Sequence, residues 1–329
     1  MNRAQLACAA AALACGAAAQ AEVTLYGKVD LGVVHESGGS AGAVTKLSSG
    51  AMAPSRLGVK ADFDLGDGLK AKAQLETGFC ADSRNDARPY CTGGNFMGRR
   101  ATLALAGAFG EVSAGRQFVP AYLNIDNFDP FGTGTAGQAT NLFADAGPRA
   151  DNSIVYTTPS FGGFSASALY AFGEVNGSSS AGRTLGGSAG YADGPLAVGA
   201  AYQEARSADD STTTKHANIG ASYDFKVATL NALYQRTTGK KSRYLIGTTV
   251  PAAGGTVMAS YIRLTDGTAA KQDASQVGIG YTRPIAKQLK WYAAYAHINN
   301  KNGAGYTVGN ASADGSGNSA FNLGLVLSF

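Results

Sequence analysis

The sequence predicts an all-β fold, a sixteen-stranded antiparallel transmembrane β-barrel with an inward-folded third loop. Three observations predict it. Segments of about ten residues alternate apolar with polar along nearly the whole chain, as barrel strands with one lipid face and one wet face do. Short turn sequences take turns with longer polar stretches. One stretch of about thirty residues, 118–150, breaks the alternation, and an irregular segment of that length inside a compact fold is usually functional.

Composition agrees. Charged residues are 15% of the 329-residue chain, against about 25% in a soluble domain. Hydrophobic residues at 45% are too few for a helical membrane bundle, while 45 glycines, 15 tyrosines and 14 phenylalanines suit two-faced strands. Residues 1–21 read as a secretory signal peptide: Arg3, an apolar core over 6–19, and Ala19-Gln20-Ala21 as the small-x-small cleavage site. That core is shorter than the ~20 residues a spanning helix needs. Residues 22–329 are then the barrel. Losing Arg3 leaves 26 basic against 23 acidic residues, too even a balance for a nucleic-acid partner. Cys80 and Cys91 remain, and in an exported chain they are expected to form a disulfide.

The clearest alternation runs over 56–65. Leu57, Val59, Ala61 and Phe63 share one face, and Arg56, Gly58, Lys60 and Asp62 the other. Gly66-Asp67-Gly68 reverses the chain, and Leu69, Ala71, Ala73 and Leu75 then alternate with Lys70, Lys72, Gln74 and Glu76. Short turns recur at 107–110, 160–163, 193–195, 224–226, 251–255 and 284–287. Longer polar stretches lie at 37–53, 81–95, 118–150, 174–184, 204–215, 237–242, 265–273 and 299–318. Seven short and eight long connections delimit sixteen strands, an even number with both termini on the short-turn side. A barrel of that size leaves an aqueous channel.

The last strand alternates Phe321, Leu323, Leu325, Leu327 and Phe329 with Asn322, Gly324, Val326 and Ser328. The opening strand, with Val23, Leu25, Val29 and Leu31, is expected to pair with it and remove the free sheet edge. Phe79, Phe109, Phe172, Tyr202, Tyr223, Phe225, Tyr281, Trp291 and Tyr295 fall near strand ends, where interfacial girdles lie. In the 118–150 stretch, Phe118, Tyr122, Phe128, Phe131 and Phe143 are expected to anchor the segment across the bore. Asp126, Asp129 and Asp145 give it an acidic face.

Several motifs resemble the general-diffusion porins of Gram-negative β-proteobacteria. They are Val23-Thr24-Leu25-Tyr26-Gly27, Ser55-Arg56-Leu57-Gly58-Val59-Lys60, Gln74-Leu75-Glu76-Thr77-Gly78-Phe79, Gly98-Arg99-Arg100-Ala101, Gly115-Arg116-Gln117, Asp151-Asn152-Ser153-Ile154-Val155-Tyr156 and the terminal Phe329. The resemblance implies homotrimers in the outer-membrane lipid, a third loop folded inward, and recognition of the Phe329 strand by the barrel-assembly machinery. It also implies a channel for small hydrophilic solutes and ions. The Cys80/Cys91 pair is not general in that family and falls in its second loop, where a bridge would stiffen a subunit contact.

Strand parity puts Arg56 and Lys60 on the lumen face, and Arg100 and Arg149 likewise, out of phase with Leu103 and Ile154. The resemblance sets basic residues at Arg56, Arg100 and Arg149 opposite the inward loop. Facing Asp126, Asp129 and Asp145, they would either draw small anions through a transverse field or anchor the loop by pairing with its acids. Arg99 and Arg116 share parity with apolar neighbours and are expected outside the bore.

No enzyme chemistry is expected. Residues 132–137 match GxGxxG and 38–42 and 186–190 match GxSxG, all without the strand-to-helix context such motifs need. His35, His216 and His297 have no metal-ligand spacing, so no metal, cofactor or catalytic residue is assigned. The competing readings are a substrate-selective channel, which would line its bore with an aromatic track, an outer-membrane barrel enzyme, and a soluble secreted β-protein.

Overall fold

The computed structural model describes residues 21–40, 42–82, 96–143, 147–308 and 317–329. Its strands begin with β1 (Ala21–Ser37), β2 (Val44–Ser49), β3 (Arg56–Gly66), β4 (Leu69–Gly78), β5 (Arg100–Gly107), β6 (Gly110–Phe118), β7 (Arg149–Thr157) and β8 (Phe164–Ala171). They continue with β9 (Thr184–Asp193), β10 (Leu196–Arg206), β11 (Thr213–Asp224), β12 (Thr229–Thr237), β13 (Lys241–Ala252) and β14 (Gly255–Asp266). The last three are β15 (Ala274–Pro284), β16 (Leu289–Asn300) and β17 (Ser319–Ser328). All pairings are antiparallel; from β3 onward they join sequence neighbours, β1 pairs with both β2 and β3, and β1 also pairs with β17, from Lys28↔Ser328 to Ser37↔Ser319. That pairing closes the sheet into a barrel.

One polar stretch holds a strand that its composition conceals. Within 37–53, Thr45 and Leu47 continue the alternation, and β2 pairs with the second half of β1 while β3 pairs with its first half. β2 and β3 therefore share one stave, interrupted at 50–55, so the seventeen segments make sixteen staves. Asp30 holds the interruption. Its carboxylate accepts the N–H groups of Met52 and Ala53, both at 2.7 Å, and the Tyr292 hydroxyl at 2.8 Å.

The short turns are tight because their residues tolerate left-handed backbone. Asp67 (φ 52°) and Gly68 (φ 76°) make the two-residue link from β3 to β4, a geometry that matches strand twist. Phe329 exchanges backbone hydrogen bonds with Gly27 at 2.9 and 3.1 Å, and its ring lies where a Gly27 side chain would begin.

The two faces of the wall differ throughout. Leu57, Leu75, Leu103, Ile219, Ile246, Val277, Ile279 and Leu323 are exposed, whereas the alternate positions Asn218, Gln235, Gln276 and Asn322 are buried. An apolar band this extensive belongs in lipid, and a closed sheet leaves no backbone group unpaired there. No helix among the described residues is long and apolar enough to cross a membrane, which does not bear on a barrel.

Candidate functional site

The segment after β6 crosses the bore. Its contacts fall on inward-facing residues of strands spread around the cylinder, and only a path through the interior reaches them all. Asn124 donates to the Gly199 carbonyl on β10 and to Asn218 on β11. Arg243 of β13 donates to the Leu142 carbonyl. Gln276 of β15 donates to the carbonyls of Gly137 and Gln138, and Asn322 of β17 accepts the Ala136 N–H at 2.5 Å.

The segment is not structureless, as its broken alternation had implied. It holds a helix, α1 (Pro120–Phe128), and a single turn, α2 (Thr140–Phe143). Pro120 stands in the first helical turn, where a missing N–H costs nothing. Ala121, Ile125 and Phe128 recur at helical spacing and are buried against the wall. Small wall residues make room: a β-carbon on Gly220 would come within 2.2 Å of the Phe128 ring, and one on Gly199 within 2.2 Å of the Asn124 side chain.

The glycine-rich run 132–137 packs rather than binds phosphate. Thr135 donates its N–H to the Ala51 carbonyl at 2.7 Å, docking the loop on the break between β2 and β3. A β-carbon on Gly134 would meet the Met52 carbonyl at 2.1 Å, so only glycine permits that approach.

Asp129 lies inside the loop, not on its water face. Its carboxylate accepts the N–H groups of Phe131 (3.0 Å), Thr133 (3.0 Å) and Ala139 (2.8 Å). Burial pushes its pKa up to about 6, although the three amide donors pull it the other way. Asp126 does face the bore and accepts the Thr133 hydroxyl at 2.5 Å. Asp145 lies outside the described residues.

Between the loop and the β1–β7 wall is a cavity of about 560 Å³. Lys28, Arg56, Arg99 and Arg149 line it, with Glu76 and Asp126 as its acids among the described residues. Glu76 is engaged by Arg99 at 2.7 Å and Arg56 at 3.4 Å, and accepts the Tyr26 hydroxyl at 3.0 Å. The Arg149 guanidinium lies 4.2 Å over the Phe118 ring, which stacks on Tyr122 at 5.4 Å. Arg149 makes no ion pair among the described residues.

One parity assignment needs correction, and two inward residues lie away from the constriction. Arg99 lines the bore, because it precedes the paired part of β5 and swings inward to Glu76, so strand alternation does not govern it. Arg100 and Lys60 line a separate cavity of about 230 Å³ nearer the short turns, beside the Lys72–Glu111 pair at 2.8 Å. Arg116 is on the outer side, paired with Asp151 at 2.6 Å. Cys80 is disulfide-bonded, and Cys91 lies outside the described residues.

A water-accessible bore narrowed by its own inward loop, in a wall with an apolar exterior, is the architecture of an outer-membrane channel. Comparison with known proteins agrees. A family model described as Gram-negative porin matches residues 6–303. The outer membrane porin protein 32 of Delftia acidovorans is 36% identical over 327 residues, covering 92% of this chain and 90% of its own length. The solved anion-selective porin of Comamonas acidovorans superposes with a TM-score of 0.82 at 29% identity, over 94% of this chain and all of its own. The trimer form of OmpT from Vibrio cholerae shares the fold, with a TM-score of 0.68 at 18% identity over 94% of this chain and 99% of its own. With alternation, closure, inward loop and sequence kinship in agreement, the chain belongs to the Gram-negative porins and forms a channel of the bacterial outer membrane.

Proposed function

We propose that this porin is a passive, water-filled diffusion channel for small hydrophilic solutes and ions, with a mild preference for anions. The observation that carries the reading is the charge around the main cavity: four cations against two acids, one of which, Glu76, is already paired to Arg56 and Arg99. A charge 4 Å from a permeating ion is worth ~1 kcal/mol in bulk water and ~4 at an effective dielectric near 20. Screening beyond ~8 Å at physiological ionic strength keeps the bias local. An ion is thereby drawn in but still able to leave, as conduction requires.

The relatives support the same reading, one being described as anion-selective and another as a trimer. In this proposal the chain assembles as a homotrimer, residues 1–21 are removed on export, and the Phe329 strand is read by the barrel-assembly machinery. Arg56, Arg99 and Arg149 serve as the attracting wall, while Lys60 and Arg100 extend it toward the turn side. Proteoliposome swelling tests the passive character. The rate should fall smoothly with solute size across neutral sugars and amino acids and show no saturation. One solute entering with saturable kinetics while its isomers do not would instead indicate a substrate-selective channel.

A further inference from the structure

We propose that Arg236 and Arg263, on the outer surface at the loop end of β12 and β14, form a docking site for the phosphate groups of anionic outer-leaflet lipids. Both residues are on the lipid side. Arg236 is in phase with exposed Leu230 on β12, and Arg263 with exposed Tyr261 on β14. Both are themselves exposed. A cation on that face is costly in hydrocarbon and nearly free at the interface, so its place along the strand carries meaning. Arg236 is the penultimate residue of β12, and Arg263 stands three residues before the end of β14. In this architecture the long loops are extracellular, which sets both at headgroup level in the outer leaflet.

Other outward cations on the described strands at that end are compensated within the protein. Lys215 and Arg206 pair with Glu204, Arg206 also with Asp210, and Arg116 with Asp151. Arg236 and Arg263 make no ion pair among the described residues. The register brings them to one patch. Arg236 is opposite Ser242 on β13, Ser242 is opposite Thr265, and Arg263 is opposite Tyr244. Two strand spacings and a two-residue offset separate their Cα atoms by roughly 12 Å, within reach of two long side chains closing on one headgroup. The Ser242 hydroxyl shares the patch, the Thr265 hydroxyl donates to the Ser242 carbonyl beside it, and Tyr244, its ring tilted against Tyr234 at 5.0 Å, borders it toward the hydrocarbon. Guanidinium forks with neighbouring hydroxyls suit a phosphate, and the tyrosines suit the glycerol or sugar level beneath it.

The test uses the folded chain in phosphatidylcholine nanodiscs, with and without a bisphosphorylated glucosamine lipid (lipid A), and counts retained lipid by native mass spectrometry. Each arginine is expected to contribute about fivefold in lipid affinity, so R236Q/R263Q should lose on the order of twentyfold. R236K/R263K should keep much of the binding, and R283Q, at the turn end of the same outer surface, should keep all of it. Inorganic phosphate at matched concentration should not displace the lipid. Wild-type retention by the folded double glutamine variant, equal loss in R283Q, or displacement by free phosphate would each overturn the proposal.

Discussion

Replacing Arg56, Arg99 and Arg149 together with glutamine is expected to lower the chloride-over-potassium permeability ratio about three- to tenfold. Each charge acts across a few ångströms of water, where it is worth on the order of 1 kcal/mol before screening. Three removed together outweigh Lys28, the one cation then left on the cavity lining. The set separates attraction from anchoring. Arg99 and Arg56 pair with Glu76, so their loss also frees an acid in the bore. Arg149 has no such partner among the described residues and rests on Phe118, so among those residues Arg149→Gln removes charge without leaving an acid newly unpaired. It should account for a distinct share of the shift at unchanged conductance. Arg100→Gln, in the neighbouring cavity, should shift the ratio less. A triple variant with wild-type selectivity would confine these arginines to holding the wall and loop in shape.

Asp129→Ala is expected to widen and destabilise the channel, with conductance rising severalfold and current noise rising with it. The carboxylate gathers three backbone N–H groups into one knot at the point where the loop turns from α1 toward α2. Alanine takes the acceptor from all three donors and leaves those of the buried Phe131 and Ala139 unpaired, at about 1–3 kcal/mol for each. Asp129→Asn keeps one acceptor oxygen and should show an intermediate effect. The pH dependence has a definite sign. A carboxyl whose folded pKa, about 6, lies above its unfolded value holds its proton more tightly when folded, so the loop gains stability as pH falls through about 6 and loses it as pH rises. Wild-type noise in planar bilayers should therefore be lower at pH 5 than at pH 7.5, and Asp129→Asn should abolish the difference. Noise that grew on acidification would contradict the assignment.

Most of the barrel was legible because strand period two is a local property. Leu57 and Lys60 can be assigned to opposite faces from a handful of residues, and Gly66-Asp67-Gly68 marks a reversal by conformation alone. What depended on tertiary context was not legible. Nothing local distinguishes Asp126, which meets water, from Asp129, which turns back on its own amides; the loop backbone decides between them. Arg99 escapes parity because it stands one residue before the start of β5. β2 was hidden by its glycine- and serine-rich flanks. The helix α1 does carry a signal, Pro120 followed by apolar residues at 121, 125 and 128, but three apolar positions in one short helix stand out little beside the two-residue rhythm of the strands. Asp30 is in sequence one polar residue alternating with Val29 and Leu31, and its role in holding the β2–β3 break becomes visible with Tyr292, 262 residues away.

The most direct measurement is the zero-current potential of the unmodified channel in a planar bilayer under a potassium chloride gradient. With more cations than acids around the narrowed bore, chloride should cross faster than potassium and leave the dilute side negative. The value should shrink toward zero as both solutions approach molar salt, where screening acts within ~3 Å. A dilute side that is positive, at any ionic strength, would contradict the assignment of the basic wall as the element that governs passage.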